Sequence, residues 1–226
     1  MRLCLLDLKG RIAINIRRWN KRLKLNVITD EAKVDGIIVI GNGTPDDVAI
    51  CLISYHLNGR RIIFGVVKPP KTRISVLEYL KYYIKFADKI LIVIDQEDDN
   101  IADIFEKIED KLNSMGFKVK KSRNRNSEEN RLMIYECEFG KREVMIVIVV
   151  NGLDEIETNK HTIEDHFIKG AKIFGIKVGK FSNSKDAWKR LKDDEKVKVY
   201  KGLKENRKII EDVFPQHFKA FKEFET

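Results

Sequence analysis

The chain has 226 residues, of which 43% are hydrophobic and 35% charged, and its formal net charge is +9. This composition excludes an intrinsically disordered chain, and the longest apolar run, residues 144–150, is too short to cross a bilayer. Asp7, Lys9 and Arg11 interrupt the apolar stretch that a signal peptide would need, so we expect a cytoplasmic protein with no membrane partner. The three scattered cysteines suit a reducing compartment, and the abundance of Lys and Glu is typical of a thermophile.

The positive charge is concentrated at the two ends of the chain. Residues 1–35 carry a net +5 and residues 171–226 a net +6, whereas residues 36–170 carry −2. Lys and Arg neutralise phosphates, so one interpretation is a nucleic-acid surface, and the other is a lysine-rich thermophilic surface. In the first segment an aromatic ring lies among four cations, and it could stack on a base or pack against the protein. These residues are Arg17, Arg18, Trp19, Lys21 and Arg22.

The predicted elements of the first half alternate between strands and helices. Leu3–Leu8 and Arg11–Ile16 alternate in polarity on either side of Lys9-Gly10 and predict an N-terminal β-hairpin. Apolar runs at 36–40, 61–67 and 89–94 predict buried strands. Helices are predicted after them, at the N-cap Thr44, from about Thr72, and over 101–115. Such alternation is typical of a parallel sheet covered by helices on both faces.

The second half departs from this alternation. Residues 132–139 and 143–150 predict an antiparallel hairpin added to the sheet, and a helix is predicted to open at Thr162 in a capping box with Asp165. A lysine-rich helical tail begins at about Lys185. We predict an α/β domain over 1–183, with a mainly parallel, Rossmann-like sheet, and a basic helical appendage over 184–226 packed on it. The apolar residues of the tail would also suit a homodimer contact.

Polar residues follow the predicted strands at their carboxyl ends, where open parallel sheets bind ligands. These features are the turn 41–46, the segment Asp95-Gln96-Glu97, and the acidic stretch 161–165. In an extended segment residues i and i+2 point the same way, so Asp95 and Glu97 could share one cation. Glu164 is a third candidate ligand. An acid at the tip of a buried strand costs solvation unless it is paired, whereas Asp46 would also be explained by the helix dipole alone.

This order of features resembles the Toprim domain of topoisomerases, primases and small nucleases, including stand-alone archaeal and bacterial proteins. Asn42-Gly43-Thr44-Pro45-Asp46 is similar to its first motif, Asp95-Gln96-Glu97 to its D-x-D motif, and 162–167 to an acidic helix start. The similarity covers about residues 36–170. It implies Mg²⁺ or Mn²⁺ held by Asp95, Glu97 and Glu164, and phosphodiester chemistry on DNA or RNA near Asp46. The family's catalytic Glu is replaced by Asn42, which cannot exchange a proton near neutral pH.

Three functions follow from these observations. The first is a Toprim-like protein acting on nucleic acid, as a Mg²⁺-dependent nuclease or phosphotransferase with a degenerate first motif. The second is a non-catalytic nucleic-acid-binding or scaffolding protein that retains only the fold. The third is a nucleotide or phosphometabolite site at the turn 41–46, which ranks lowest because the sequence places no basic residue beside that turn.

Overall fold

A computed structural model describes residues 2–6, 10–30, 32–43, 45–57, 62–123 and 131–225. Its strands are β1 (Arg2–Leu5), β2 (Gly36–Ile40), β3 (Ile63–Val67), β4 (Lys89–Asp95), β5 (Lys118–Arg123), β6 (Leu132–Phe139) and β7 (Arg142–Asn151). Its helices are α1 (Arg11–Leu23), α2 (Asp46–His56), α3 (Leu80–Tyr83), α4 (Ile101–Ser114), α5 (Ile163–Ile173), α6 (Ser184–Arg190), α7 (Asp193–Glu205), α8 (Arg207–Val213) and α9 (Pro215–Glu225). A 3-10 helix spans Arg73–Tyr79 and leads into α3.

The seven strands form one sheet in the order β1-β3-β2-β4-β7-β6-β5. The first five in this order are parallel, and β6 is antiparallel to both of its neighbours. The predicted fold class is therefore confirmed, including the added hairpin, which is β6–β7. Strands β4 and β7 pair along their length, and this register sets Asp95 directly beside Asn151.

Helices cover both faces of the sheet. Along β2, Ile38 and Ile40 belong to one apolar core, while Ile37 and Val39 belong to the other. The first core also contains residues of α1, α2 and α5 to α9, and the second contains residues of the 3-10 helix, α3 and α4. Because both faces are buried, the central strands are apolar at every position instead of alternating.

The predicted N-terminal hairpin is wrong. Residues 11–16 begin α1, in which Ile12 and Ile16 are buried while Ile14 is 62% exposed. Ile12, Ile14 and Ile16 alternate as in a strand, but Ile12 and Ile16 are also four residues apart and therefore lie on one face of a helix. The segment adopts the helix. Residues 2–5 of the predicted first strand do form β1, but it pairs in parallel with β3. Residues 7–9, including the predicted turn at Lys9, lie outside the described residues.

Two predicted helix starts also differ in detail. Thr44 lies outside the described residues, and α2 begins at Asp46. The side chain of Thr162 does not cap α5, so the predicted capping box is wrong. The carboxylate of Asp165 instead accepts hydrogen bonds from the backbone nitrogen of Leu153 at 3.2 Å and from Nδ1 of His161 at 2.7 Å.

The C-terminal helices pack on the first face of the sheet. Phe221 and Phe224 of α9 are fully buried, and the ring of Phe224 lies 4.4 Å from that of Phe64 in β3, centroid to centroid. The three cysteines are buried and unpaired. In the described part of the chain, no helix has both the length and the apolar character needed to cross a membrane.

Candidate functional site

The carboxyl ends of β2, β4 and β7 lie side by side at one edge of the sheet. From β2 the chain continues into α2 on the first face, and from β4 into α4 on the second face. Such a divergence opens a crevice where ligands bind in open parallel sheets. Four buried polar side chains meet here. Asp46 begins α2, Asp95 ends β4, Asn151 ends β7, and Glu164 lies in the first turn of α5.

Asn151 joins two of the carboxylates. Its Nδ2 donates to Oδ1 of Asp46 at 2.9 Å and to Oδ1 of Asp95 at 2.8 Å. The backbone nitrogen of Ile163 also donates to Oδ1 of Asp95, at 3.1 Å. One fully buried amide therefore holds two acids, and both acids lie within hydrogen-bonding distance of the same nitrogen atom.

The acids of this cluster hold their protons more tightly than free carboxyl groups do. Burial raises the pKa of Asp46 well above its usual value, and the negative charges of Asp95 and Glu164 raise it further. Burial likewise raises the pKa of Asp95 to about 7, against the opposing hydrogen bond from Asn151. The pKa of Glu164 is raised by burial as well, while Thr162 and Lys185 oppose the shift. A group that titrates near neutral pH can both accept and release a proton under working conditions.

Two buried histidines support the cluster from behind. His217 donates from Nε2 to Oδ1 of Asn151 at 2.8 Å, which orients the amide toward the two acids. His166 donates from Nδ1 to the carbonyl oxygen of Val213 at 2.5 Å, and its Nε2 accepts from the backbone nitrogen of Gly152 at 3.3 Å. Burial lowers the pKa of both histidines, that of His166 to about 4, so both rings are neutral near pH 7.

The predicted metal ligands are only partly brought together. Asp95 and Glu164 join the buried cluster, but the extended segment assumed from Asp95 to Glu97 is wrong, because β4 ends at Asp95 and Glu97 has a φ of 60°. The carboxylate of Glu97 lies 3.5 Å from Nζ of Lys160. Within the described residues, no three side chains of His, Cys, Asp or Glu are grouped so that they could hold one metal ion. The assignment of Glu97 as a ligand stays a prediction.

Asn42, the first of the two predicted catalytic residues, lies in the turn between β2 and α2 and is buried. Its Nδ2 has no hydrogen-bond partner among the described residues. Asp46, the second predicted catalytic residue, lies in the cluster. Asp46 and Asp95 are both acids whose pKa values are raised.

The predicted nucleic-acid-binding residues all lie on α1. Trp19 packs edge-on against Tyr200 of α7, with 4.8 Å between ring centroids, and the guanidinium groups of Arg18 and Arg22 lie over its ring at 5.7 and 5.4 Å. The ring is engaged by the protein's own side chains, so it serves packing and does not offer a free stacking surface. Arg17, Arg18, Lys21 and Arg22 are exposed and have no ion-pair partner among the described residues.

The sequence places no basic residue beside the turn 41–46, but the fold brings cations from elsewhere in the chain to it. A cavity of about 520 Å³ borders this turn at Gly43 and is lined by four cationic side chains from distant parts of the chain. They are Arg11, Lys68, Lys185 and Lys189. The sequence does not reveal this group, because its members come from distant elements. Arg11 begins α1, Lys68 follows β3, and Lys185 and Lys189 lie on successive turns of α6.

A second cavity, of about 940 Å³, lies at the same edge of the sheet beside the end of β7. Arg131 lines it, although its side chain is almost wholly buried. Its Nη1 donates to Oε1 of Gln96 at 2.5 Å and to the carbonyl oxygen of Asn151 at 3.3 Å, and it pairs with Asp154. Gln96 and Gly152, which line this cavity, directly follow Asp95 and Asn151 in the chain.

Comparisons with protein-family models, with curated proteins and with solved structures give no match. Sequence reasoning missed Asn151, His217 and Arg131. Asn151 alone carried a signal, since it ends the longest apolar run just as Asp95 ends an earlier one. His217 and Arg131 reach the site only through tertiary packing.

Proposed function

We propose that the protein acts on the phosphates of nucleic acid with the help of a divalent cation bound at the buried acidic cluster. The observation that carries this proposal is the convergence of three buried acids, Asp46, Asp95 and Glu164, two of which accept hydrogen bonds from the amide of Asn151. Buried carboxylates in mutual repulsion are stabilised by a proton or by a metal ion. An oxygen-only donor set suits Mg²⁺ or Mn²⁺.

Two carboxylates suffice for such an ion. Mg²⁺ commonly takes one or two carboxylates and completes its shell with water and substrate phosphate, so a preformed set of three protein ligands is not required. Asp46 and Asp95, which share one donor nitrogen, are the pair that we assign to it. When bound, the ion would polarise a phosphoryl oxygen and offset its developing charge.

The remaining roles belong to the side chains around this pair. Glu164, whose pKa is also raised, adds negative charge that favours cation binding. Asn151, oriented by His217, holds Asp46 and Asp95 at a common distance. With Asn42 unable to carry a proton, Glu164, the cluster carboxyl group that is not assigned to the ion, takes over that task.

Nucleic acid is the proposed substrate because the exposed side of α1 is cationic. Among the residues of α1, Arg17, Arg18, Lys21 and Arg22 are exposed and the helix carries no acidic side chain. Exposed cations that form no ion pair with the described residues can neutralise phosphate backbones and release their counterions. We assign this surface to the backbone and not to the bases, since Trp19 is packed.

The test is a cleavage assay with labelled single-stranded DNA, duplex DNA and RNA, in Mg²⁺, in Mn²⁺ and in EDTA. We expect cleavage of at least one substrate with metal only, and a loss of at least about 100-fold in Asp95→Asn. Asp110→Asn is the matched control, because Asp110 is exposed on α4 and far in sequence from the cluster. Equal activity of Asp95→Asn and the unaltered protein would refute the assignment.

A second candidate is a non-catalytic nucleic-acid-binding protein with the same fold. It is favoured by Asn42 and by the burial of the cluster, since Asp46 is only 2% and Glu164 only 4% exposed. It predicts binding in EDTA that weakens with salt and weakens further in Arg17→Glu/Arg18→Glu. Fluorescence anisotropy at several salt concentrations measures both effects. An affinity that does not change with ionic strength would count against this second candidate function.

A further inference from the structure

The cavity beside the turn 41–46, which we call the cationic pocket, has the size of a small-ligand site. Its volume is about 520 Å³, within the range of roughly 300–1,000 Å³ typical of ligand pockets. The start of α1, the turn after β2, the segment 68–70 after β3, and α6 border it. Four separate segments of the chain therefore close around one space.

The pocket gathers more positive than negative charge among the described residues, although Lys68 acts on the charge of Asp47 and Lys185 on that of Glu164. Arg11, Lys68, Lys185 and Lys189 line it, and none of them has an ion-pair partner among the described residues. Among the described residues of the lining, Asp47 is the only acidic one. Like charges drawn together around a concave surface raise the local potential and attract an anion.

Backbone groups on two sides also suit an anion. Gly10, Arg11 and Ile12, which line the pocket, form the start of α1, where the helix dipole is positive, and the first turn carries no acidic residue. Gly43 lines the opposite side, and no atom lies within 4 Å of the position that a Cβ would occupy. A ligand can approach the backbone closely there.

Asp47 adds an acceptor to the pocket. It is 1% exposed, its Oδ1 accepts from the backbone nitrogen of Val48 at 2.8 Å, and its Oδ2 has no hydrogen-bond partner among the described residues. The side chain of Asn15 and the charge of Lys68 also stabilise the ionised carboxylate of Asp47. Buried acceptors are normally satisfied, so we assign a donor of the ligand to Oδ2. The hydroxyl group of a sugar is a donor of this kind.

We propose that the cationic pocket binds a phosphomonoester, with the phosphate held by Arg11, Lys68, Lys185 and Lys189 and a ligand hydroxyl donating to Asp47. This site uses other side chains than the acidic cluster, although Asp47 is adjacent to Asp46 and Lys185 acts on the charge of Glu164, and it needs no metal ion. The phosphomonoester can be a free nucleotide or sugar phosphate, or the terminal phosphate of a nucleic-acid strand. Both sources present the same dianionic group.

The test is isothermal titration calorimetry in EDTA, with adenosine 5′-monophosphate and inorganic phosphate as probes. We expect both to bind to the unaltered protein, and Lys68→Gln and Lys189→Gln each to weaken binding by roughly 10-fold, as the loss of one charge-assisted hydrogen bond does. Lys201→Gln is the matched control, because Lys201 is exposed on α7, does not line the pocket, and changes the net charge equally. Absence of binding, or equal weakening by Lys201→Gln, would overturn the proposal.

The Asp47→Asn variant tests the contact with the ligand hydroxyl separately from the contacts with the phosphate. We expect it to bind inorganic phosphate at least as tightly as the unaltered protein, because a negative charge is removed, and to bind adenosine 5′-monophosphate less tightly relative to phosphate. Retained phosphate binding also shows that the variant is folded. An unchanged preference between the two probes would overturn the role of Asp47.

The two sources of the phosphate are distinguished by competition. A short DNA strand with a 5′-phosphate is titrated against bound adenosine 5′-monophosphate, and the same strand with a 5′-hydroxyl is the control. Displacement by the phosphorylated strand alone supports a strand end as the ligand, and displacement by neither strand supports a free phosphomonoester. Equal displacement by both strands would overturn phosphomonoester recognition. Because EDTA is present, these results stand apart from the cleavage assay.

Discussion

The burial of Asp95 predicts that its charge destabilises the fold. The pKa of its carboxyl group rises from 3.8 to about 7 on folding, so the folded state holds the proton more tightly than the unfolded state. The free energy of unfolding therefore falls as the pH rises from about 4 to about 7, and levels off above that range. The full cost of ionised Asp95 is about 4 kcal/mol, at about 1.4 kcal/mol for each pKa unit.

Asp95→Asn removes this cost while keeping the local hydrogen bonds. The Oδ1 of an Asn can still accept from Nδ2 of Asn151 and from the backbone nitrogen of Ile163, as Oδ1 of Asp95 does. We expect the stability of the variant relative to the unaltered protein to increase by about 2–3 kcal/mol between about pH 5 and pH 8. The residue that the cleavage assay treats as essential is thus expected to be unfavourable for stability.

Urea unfolding without metal, followed by circular dichroism at both pH values, measures this difference. Asp110→Asn is again the control, since an exposed side chain without an ion-pair partner should change the stability by less than about 0.5 kcal/mol at either pH. The reasoning is refuted if Asp95→Asn differs from the unaltered protein by the same amount at both pH values. That outcome would mean that the pKa of Asp95 is not raised in the folded state.

Three further measurements examine the packing around the site. The pKa of buried His166 is lowered to about 4, so protonation of this residue in the unfolded state should lower the free energy of unfolding by about 3 kcal/mol between pH 7 and pH 4. In urea unfolding, His166→Asn should lack this contribution, and a loss of unchanged size in the variant would refute the assignment to His166. Phe224→Ala should destabilise the protein by about 3–5 kcal/mol by opening a cavity against β3; a loss below about 1 kcal/mol in urea unfolding would show that α9 is not part of the core. Gly41→Ala should cost about 1–3 kcal/mol, because its Cβ would lie 2.9 Å from the carbonyl oxygen of Val93; an unchanged melting temperature would contradict this close approach.

The strands of the sheet and most of the helices that cover it could be predicted, because the sequence patterns that indicate them are local. The apolar runs at 36–40 and 89–94 are continuous because both faces of each strand are buried, and this burial is itself a property of parallel sheets. The prediction of an N-terminal hairpin was wrong because it depended on a local pattern alone. Three isoleucines at spacing two fit a strand and a helix equally well in so short a window, and only the packing of Ile12 and Ile16 against the core decides between them.

The candidate site was predictable where an acid ends a strand, as Asp95 does, or lies in the first turn of a helix, as Asp46 and Glu164 do. Asp95 could be singled out because an acid at the end of a buried strand is costly, and the structure places it at the centre of the cluster. Glu97 could not be excluded from sequence, because its departure from extended geometry depends on pairing with His161 across a loop. Its carboxylate instead lies beside Lys160.

The sequence by itself determined the α/β class, the strands that end in polar residues, and the basic character of the two ends of the chain. Each is a property of neighbouring residues, set by hydrophobic period and charge count. Only the tertiary structure decided that Asn151 and His217 complete the acidic cluster, and that Arg11, Lys68, Lys185 and Lys189 surround one pocket. These groups come from segments up to 178 positions apart, and no local pattern encodes which segments the folded sheet brings together.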